Sequence, residues 1–248
     1  MSQGREAESD GVAGAENIAV VTGASAGIGA AIAARFVAEG VRVFGLARRP
    51  CRLAGVQSLE VDLAEPAAIN RVLRQLLEAL PCTAELHLVH NAAVMPRDSV
   101  LGFDRARVER ALRINLIAPM HLSSALIPRM APGSSILYIG STLSEKAVPG
   151  RMTYVTSKHG LVGLMRATVQ DLFGRAIHSA CICPGFTDTA MLRPLLDADP
   201  EFRESVLRLV SFGRLVEPEE IADLVIVVAR SPALNGALLH ANLGQREA

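Results

Sequence analysis

The sequence predicts a single α/β domain in which helices cover both faces of a parallel sheet, the arrangement called doubly wound. Short apolar segments rich in β-branched residues alternate with longer helical segments along the chain of 248 residues. Strands of this kind are typical of parallel sheets, and right-handed crossovers place the intervening helices on both sides. No linker rich in Pro, Gly or Ser divides the chain, which predicts one domain.

Seven strands and five long helices follow from this pattern in chain order. Short, β-branched apolar runs bounded by turn residues indicate the strands. The predicted strands cover residues 18–22, 41–46, 58–61, 86–90, 135–139, 177–183 and 237–241. The predicted helices cover residues 28–39, 65–80, 105–130, 154–173 and 218–230.

The start of the chain and one long loop lie outside the alternating strands and helices. Residues 1–16 lack the apolar segment of a secretory signal, so we expect a disordered tail in front of a domain at 17–248. Residues 189–212 follow a strand end and contain Pro194 and Pro200. Because loops at the carboxyl ends of parallel strands bind ligands, we predict a partly helical substrate lid here. The alternative is a surface excursion without a role.

Composition and charge argue against several classes of function. The 25 basic and 25 acidic side chains cancel, unlike those of a nucleic-acid binder that depends on bulk positive charge. Trp is absent and Tyr numbers 2, so stacking on single strands is not expected. No apolar run is long enough to span a membrane. Four cysteines without C-x-x-C spacing indicate reduced thiols in a cytoplasmic protein: Cys51, Cys82, Cys181 and Cys183.

A glycine-rich segment, TGASAGIG at residues 22–29, joins the first predicted strand to the first helix. Glycine lets the backbone turn tightly and approach a pyrophosphate, and the helix start offers free N–H groups and a positive dipole end. The position between strand and helix is the one that a dinucleotide site requires, although three glycines also occur in ordinary turns. The predicted cofactor contacts here are Gly23, Ser25, Gly27, Ile28 and Gly29.

The glycine spacing G-x-x-x-G-x-G, together with the motifs described below, resembles the short-chain dehydrogenase/reductase family in its single-domain form. The resemblance covers the chain from about residue 17 to residue 243. It implies a Rossmann-type fold, an NAD(P)-dependent oxidoreductase that interconverts a ketone and a secondary alcohol, and a homodimer or homotetramer. Two alternatives remain, a protein that binds the dinucleotide without turnover and a scaffold that uses its long helices for assembly.

The residues after the second strand bear on the choice of dinucleotide. A fold of this type that binds NAD usually places an acid here to hold a ribose hydroxyl, whereas Arg accommodates the 2′-phosphate of NADP. Arg48 and Arg49 occupy these positions, and bidentate guanidinium groups suit a phosphate. We therefore expect NADP(H), with NAD(H) possible, because the pair also fits a solvated basic turn. Ala26 lacks the basic side chain that many NADP-using relatives have in the glycine loop.

The resemblance also implies contacts on the adenosine side of the cofactor. Asp62, with Leu63 beside it, matches the residue that accepts from the adenine amine, although a helix-capping Asp is the alternative interpretation. Asn91 and Ala92 match the family motif N-N-A-G, which here follows the fourth predicted strand. His90 and Ala93 depart from that motif, which here is H-N-A-A at residues 90–93. A lone buried histidine is expected to have a structural role.

Tyr154 and Lys158 are four residues apart and therefore share one face of a helix. A free phenol titrates near 10, and a neighbouring ammonium group stabilises the phenolate and makes the proton easier to give up. The same ammonium can hold ribose hydroxyls. The resemblance adds Ser141 as orienter of the substrate oxygen and Asn115 as support, in the order Asn, Ser, Tyr, Lys.

Pro119 has no N–H and cannot bond to the carbonyl of Asn115 four residues earlier. If the segment is helical, that carbonyl is freed and the helix bends. We hypothesise that the freed oxygen holds a water that links Lys158 to solvent as a proton relay.

The segment after the sixth strand resembles the family motif that meets the nicotinamide. The implied contacts are Pro184, Gly185, Thr187 and Thr189. Apolar candidates for the substrate pocket are Leu143, Val148, Phe186 and Met191, with Met152 and Leu195 as further possibilities. These residues predict a small or medium apolar carbonyl substrate, although the same side chains also suit core packing.

Overall fold

The computed structural model describes residues 16–246 and contains the predicted doubly wound sheet. Within these residues seven strands form one sheet of order β3-β2-β1-β4-β5-β6-β7, with every pair parallel. The strands are β1 Asn17–Thr22, β2 Arg42–Ala47, β3 Val56–Glu60, β4 Glu85–His90, β5 Ser135–Ile139, β6 His178–Pro184 and β7 Leu238–Ala241.

Helices cover the sheet on both faces and bury two apolar layers. One layer packs β-strand residues against α2, α4 and α5, and the other packs them against α1 and α8. The helices are α1 Gly27–Ala38, α2 Pro66–Ala79, α3 Arg105–Leu112, α4 Ala118–Leu126, α5 Met152–Asp171, α6 Arg193–Asp197, α7 Pro200–Leu209 and α8 Pro218–Ala229. No helix in this part of the chain is both long enough and apolar enough to cross a membrane.

Most predicted elements are present, with their ends shifted by one or two residues. The helix predicted from residue 154 begins at Met152, which places Tyr154 in its first turn. The segment 189–212 is partly helical as predicted, because it contains α6 and α7. Of the predicted tail, residues 1–15 lie outside the described residues. Glu16 is described, and its carbonyl accepts from the Glu85 N–H at 3.1 Å.

The helical segment predicted over residues 105–130 is present but is not one continuous α-helix. The segment consists of α3, a π-helical turn at Arg113–Ile117, α4 and a 3₁₀ turn at Ile127–Arg129. In the π-helical turn the Ala118 N–H donates to the Arg113 carbonyl, five residues back. Pro119 supplies the reason, because it has no N–H for the Asn115 carbonyl and the bonding must shift around it.

The order of the strands reverses between β1 and β4, so the connections on the two sides run in opposite directions. In open parallel sheets this reversal opens a crevice at the carboxyl ends of the strands, where ligands bind. All seven strands point to the same edge, and the loops that follow them therefore meet there.

Three histidines are buried in the sheet, and two of them are held in the neutral form. His87 lies against Phe36 and bonds to the Ser135 hydroxyl at 2.9 Å. Burial lowers the pKa of His87 to about 4, with nearby His178 and Arg230 acting in the same direction. Burial also lowers the pKa of the His90 ring to about 3.

His90, which departs from the family motif, has the structural role expected of it. Its Nε2 bonds to the Ser123 hydroxyl at 2.8 Å, and its ring stacks on Tyr138 at 5.0 Å between centroids. The Tyr138 hydroxyl in turn bonds to the Thr168 hydroxyl at 3.1 Å. This group links β4, α4, β5 and α5 behind the carboxyl edge.

These histidines predict that the free energy of unfolding falls as the pH drops from about 6.5 toward 4.5. Between those values the unfolded chain binds protons that the folded chain excludes, so stability is fully present above the unfolded pKa of about 6.5 and is lost below it. The substitution His87→Gln should reduce the slope by up to about 1.4 kcal/mol per pH unit. Chemical denaturation at a series of pH values measures the slope.

The control is His159→Gln, which changes an exposed ring on α5 and should leave the slope as it is. Equal slopes for His87→Gln and the unmodified protein would contradict a neutral buried imidazole.

Candidate active site

The carboxyl edge of the sheet brings together loops that are far apart in sequence. The glycine loop follows β1, Arg48 follows β2, Asp62 follows β3 and Asn91 follows β4. Ser141 lies in the loop after β5, and the segment from Gly185 follows β6. The residues predicted in these six loops thus belong to one crevice.

The glycine loop packs directly against the end of β4. The Thr22 hydroxyl accepts from the N–H groups of Asn91 and Ala92 at 2.9 and 3.0 Å, and the Asn91 amide donates to the Thr22 carbonyl at 3.0 Å. A Cβ on Gly29 would lie 2.3 Å from the Gly23 carbonyl oxygen and 2.4 Å from the Asn91 Nδ2. Only glycine therefore permits this approach.

The start of α1 fits an anionic ligand such as a pyrophosphate. Ala26 stands at the N-cap position without a side-chain hydrogen bond, and the first turn contains no acidic residue. The first N–H groups of the helix have no partner within the helix and offer donors and a positive dipole end. Gly23 and Gly27 adopt φ of 72° and 53°, a left-handed backbone conformation that favours glycine. Ser25 and Ile28 are half-buried beside them.

A cleft of about 420 Å³ extends the crevice past the ends of β2 and β3. Arg48 lines it together with Arg71 and acidic neighbours. The Arg48 charge contributes to lowering the pKa of Asp62, but Arg48 forms no hydrogen bond or ion pair among residues 16–246. Arg49 is exposed and is not part of the lining. Of the two predicted arginines, one faces the cleft, and Arg71 is a second cation there that the sequence analysis missed.

Asp62 lines the same cleft but is already bonded by two groups. Its Oδ1 accepts from the Ala64 N–H at 3.0 Å, and its Oδ2 accepts from Arg110 at 2.7 Å. Burial opposes ionisation, but the Arg110 guanidinium and the Ala64 N–H hold the pKa of Asp62 below its ordinary value. Arg110 was not among the predicted residues because it lies 48 positions away on α3. Leu63 is buried beneath this turn.

Tyr154 and Lys158 lie on one face of α5 beside the end of β5. The Lys158 ammonium group is 5.5 Å from the centre of the Tyr154 ring. Lys158 is 2% exposed and donates to the Ile139 carbonyl at 2.6 Å. The Tyr154 hydroxyl has no hydrogen-bond partner in the described part of the chain, so it is free to bond to a substrate oxygen.

Asn115 is fixed by three hydrogen bonds and reaches the same helix. Its Oδ1 accepts from the Val94 N–H at 2.8 Å, and its Nδ2 donates to the Val94 carbonyl and to the Ser157 hydroxyl. Ser157 passes the contact on, because its hydroxyl donates to the Tyr154 carbonyl at 2.8 Å. Ser157 was missed by the sequence analysis, although its place three residues after Tyr154 puts it on the same face.

Ser141 begins a short 3₁₀ turn, and its hydroxyl oxygen accepts from the Leu143 N–H at 3.1 Å. The hydroxyl proton therefore remains available for a substrate oxygen. A Cβ on Gly140 would lie 2.8 Å from the sulfur atoms of both Cys181 and Cys183. Glycine at this position therefore lets the loop pass close to β6.

The residues expected near the nicotinamide and the substrate lie on the other side of the crevice. Thr187 is buried and is bridged to Val216, and the Thr189 methyl group is 3.3 Å from the Cβ position of Gly27. Among the apolar candidates, Val148 is 44% and Met191 is 45% exposed. The others are half-buried: Leu143, Met152, Phe186 and Leu195. Pro184 is buried at the end of β6 and Gly185 is half-buried after it.

Comparisons with known proteins agree with this geometry. Residues 23–245 match the family described as enoyl-(acyl carrier protein) reductase. The 3-oxoacyl-[acyl-carrier-protein] reductase FabG of Escherichia coli K12 is 31% identical over 242 residues, covering 92% of this chain and 96% of that protein. A short-chain dehydrogenase/reductase from Serratia marcescens superposes with a TM-score of 0.82 at 30% identity, covering 92% and 97% of the two chains. A short-chain dehydrogenase from Burkholderia cenocepacia in complex with NADP gives a TM-score of 0.81 at 26% identity, covering 93% and 98%.

The contact between the glycine loop and β4 predicts the effect of Gly29→Ala. The added methyl group has no room, so the loop must move and dinucleotide binding should weaken more than about tenfold, with a lower melting temperature. Calorimetry with NADPH and with NADH measures the binding. Gly163→Ala is the matched control, since nothing lies within 4 Å of its Cβ position and alanine favours helix. Unchanged binding by Gly29→Ala would contradict this account of the loop.

Proposed function

Because this chain belongs to the short-chain dehydrogenase/reductase family, and is therefore an NAD(P)-dependent oxidoreductase acting on CH–OH groups, we propose that it uses NADP(H) to interconvert a ketone and a secondary alcohol on a small or medium apolar substrate. Tyr154 serves as general acid and base. The observation that carries this proposal is the unpartnered Tyr154 hydroxyl beside the Lys158 ammonium group, at the edge where the glycine loop offers its N–H groups.

The chain's own residues supply the binding of the cofactor. The glycine loop and the start of α1 hold the pyrophosphate, and the segment from Pro184 to Thr189 meets the carboxamide. Asp62, Leu63, Asn91 and Ala92 face the adenosine half. When bound, the dinucleotide supplies or accepts the hydride. The remaining donors of Lys158, a buried ammonium with one protein acceptor among residues 16–246, suit ribose hydroxyls.

The preference for NADP(H) rests on the cleft beside β2 and β3. Arg48 lines it without a hydrogen-bond or ion-pair partner from residues 16–246, and no acid stands at the end of β2 to bond to a ribose hydroxyl. The relative from Burkholderia cenocepacia was crystallised with NADP. Glu60 and Glu65 also line the cleft, and they favour the alternative, NAD(H).

In the direction of reduction, the Tyr154 phenol gives its proton to the carbonyl oxygen and is left as a phenolate. The Lys158 charge stabilises that phenolate, and the Ser141 hydroxyl aligns the substrate oxygen by donating to it. In the direction of oxidation, the phenolate takes the proton of the alcohol. Asn115 keeps Tyr154 in place through Ser157.

A water at the Asn115 carbonyl completes this proposal by returning a proton to Lys158 and Tyr154. Pro119 supports it, because it withholds the N–H that would otherwise occupy that carbonyl. A high-resolution crystal structure with the carbonyl bonded within the helix and no water nearby would contradict the relay.

The substrate preference is inferred from the apolar rim of the crevice. Val148 and Met191 present apolar surface there, and the loop after β4 presents Val100, Leu101 and Phe103, which are 81%, 95% and 67% exposed. An apolar ketone gains from covering such surface. A panel of ketones of increasing chain length tests this preference, and a rate that favours charged ketones would contradict it.

We also propose a homodimer or homotetramer in the cytoplasm. Exposed apolar side chains support the assembly, since Ile117 on the π-helical turn and Met120 on α4 are 52% and 42% exposed. The four free cysteines support the location, because thiols stay reduced in the cytoplasm. Sedimentation equilibrium gives the number of subunits, and a monomer at micromolar concentration would contradict the assembly. Cell fractionation tests the location.

A protein that binds the dinucleotide without turnover, or a scaffold, would show no oxidation of NADPH with any ketone of the panel.

Tyr154→Phe is expected to lower kcat at least about a hundredfold while the dinucleotide Kd stays within about twofold. The reason is that the substitution removes the proton that the reaction transfers and leaves the ring in place. NADPH oxidation with the preferred ketone and calorimetry measure the two quantities. Turnover at the unmodified rate would exclude the role assigned to Tyr154.

Arg48→Ala is expected to weaken NADPH binding about tenfold or more and to leave NADH binding within about twofold. The reason is that in this proposal the lost guanidinium binds the phosphate that distinguishes the two cofactors. Arg52→Ala removes the same charge from an exposed position nearby and serves as control. If Arg48→Ala weakens both cofactors equally, the arginine does not select between them.

A further inference from the structure

The helix that carries Tyr154 and Lys158 begins without a cap of its own. Arg151 stands at the N-cap position of α5 and makes no side-chain hydrogen bond to the first turn. The first N–H groups of a helix need partners, and an uncapped first turn frays. Tyr154 is the third residue of this turn, so fraying would move the phenol directly.

Asp98, from the loop after β4, takes the place of that cap from 55 positions away. Its Oδ1 accepts from the Thr153 N–H at 3.1 Å, and its Oδ2 accepts from the Thr153 hydroxyl. Its carbonyl accepts from the Met152 N–H at 3.4 Å, and its N–H donates to the Gly150 carbonyl at 3.2 Å. Both the side chain and the backbone of Asp98 therefore hold the start of α5.

The same loop is fixed at its other end to Asn115. Val94, four residues before Asp98, bonds to the Asn115 amide through both its N–H and its carbonyl. Arg151 adds a bond from its guanidinium to the Pro96 carbonyl at 3.4 Å. The segment 94–98 thus joins Asn115 on the π-helical turn to the first turn of α5.

We propose that Asp98 is a positioning residue for the reaction, which holds the first turn of α5 so that the Tyr154 hydroxyl keeps its place relative to the substrate. This inference rests on the function proposed above. Asp98 acts through Thr153 and the helix, not on the substrate itself. Because small displacements of a catalytic group cost large factors in rate, losing this contact should lower kcat more than it lowers cofactor affinity.

The test compares Asp98→Ala, Asp98→Asn and the control Asp104→Ala. Asp104 caps α3 through the Arg107 N–H at 3.1 Å, so its loss removes a similar cap away from Tyr154. For each variant we would measure kcat with the preferred ketone, the dinucleotide Kd and the melting temperature. We expect Asp98→Ala to lower kcat about tenfold with Kd within about twofold. Asp98→Asn, which keeps an acceptor, should restore kcat to within about threefold.

A second pair keeps the proposal open to refutation if Asp98→Ala does not fold. Thr153→Val removes only the hydroxyl and should lower kcat about threefold, while Thr153→Ser should retain it. If kcat falls no more in Asp98→Ala and Thr153→Val than in Asp104→Ala, Asp98 serves stability alone and the proposal is wrong. If the unmodified protein turns over no ketone, the proposed function itself has failed, which is a different result.

Discussion

The close approach of the glycine loop to the end of β4 is the constraint on which the rest of the site depends. The loop can reach Asn91 only because Gly29 has no side chain, and the Thr22 hydroxyl locks the two segments together with hydrogen bonds to Asn91 and Ala92. This contact lies where the strand order reverses, so it sets one wall of the crevice. The α1 N-terminus follows directly and owes its direction to the same turn.

Buried polar groups shape the other wall. Lys158 carries its charge at 2% exposure with a backbone carbonyl as its partner among residues 16–246, and burying an ammonium is costly unless further acceptors are supplied. A bound ligand with hydroxyl groups would supply them, which connects the energetics of this position to binding. The His90 group lies behind the edge, where the hydrogen bonds between His90 Nε2 and Ser123 and between Tyr138 and Thr168 join the elements that carry the site. The other ring nitrogen, His90 Nδ1, is buried without a hydrogen-bond partner among residues 16–246.

The segment 94–98 connects two parts of the site that belong to different helices. It bonds to Asn115 at one end and to the first turn of α5 at the other, and Ser157 joins those two helices a second time. The exposed apolar residues Leu101 and Phe103 follow this segment. A substrate that covers them would therefore touch a loop that is bonded to the helix of Tyr154. The loop after β4 therefore connects the rim of the crevice to the first turn of the helix that carries the phenol.

The sequence alone determined the fold class, the glycine loop and the pairing of Tyr154 with Lys158, because these depend on the spacing of neighbouring residues. Strand propensity, glycine conformation and the helical repeat are local properties of the sequence. Pro119 likewise predicts the disturbed hydrogen bonding around Asn115, because proline has no N–H to donate. Only the tertiary structure decided that Asp98 caps α5, that Arg110 bonds to Asp62 and that Arg48 rather than Arg49 lines the cleft. Those contacts join residues that the crossovers bring together from distant parts of the chain, and no local pattern records which loops meet.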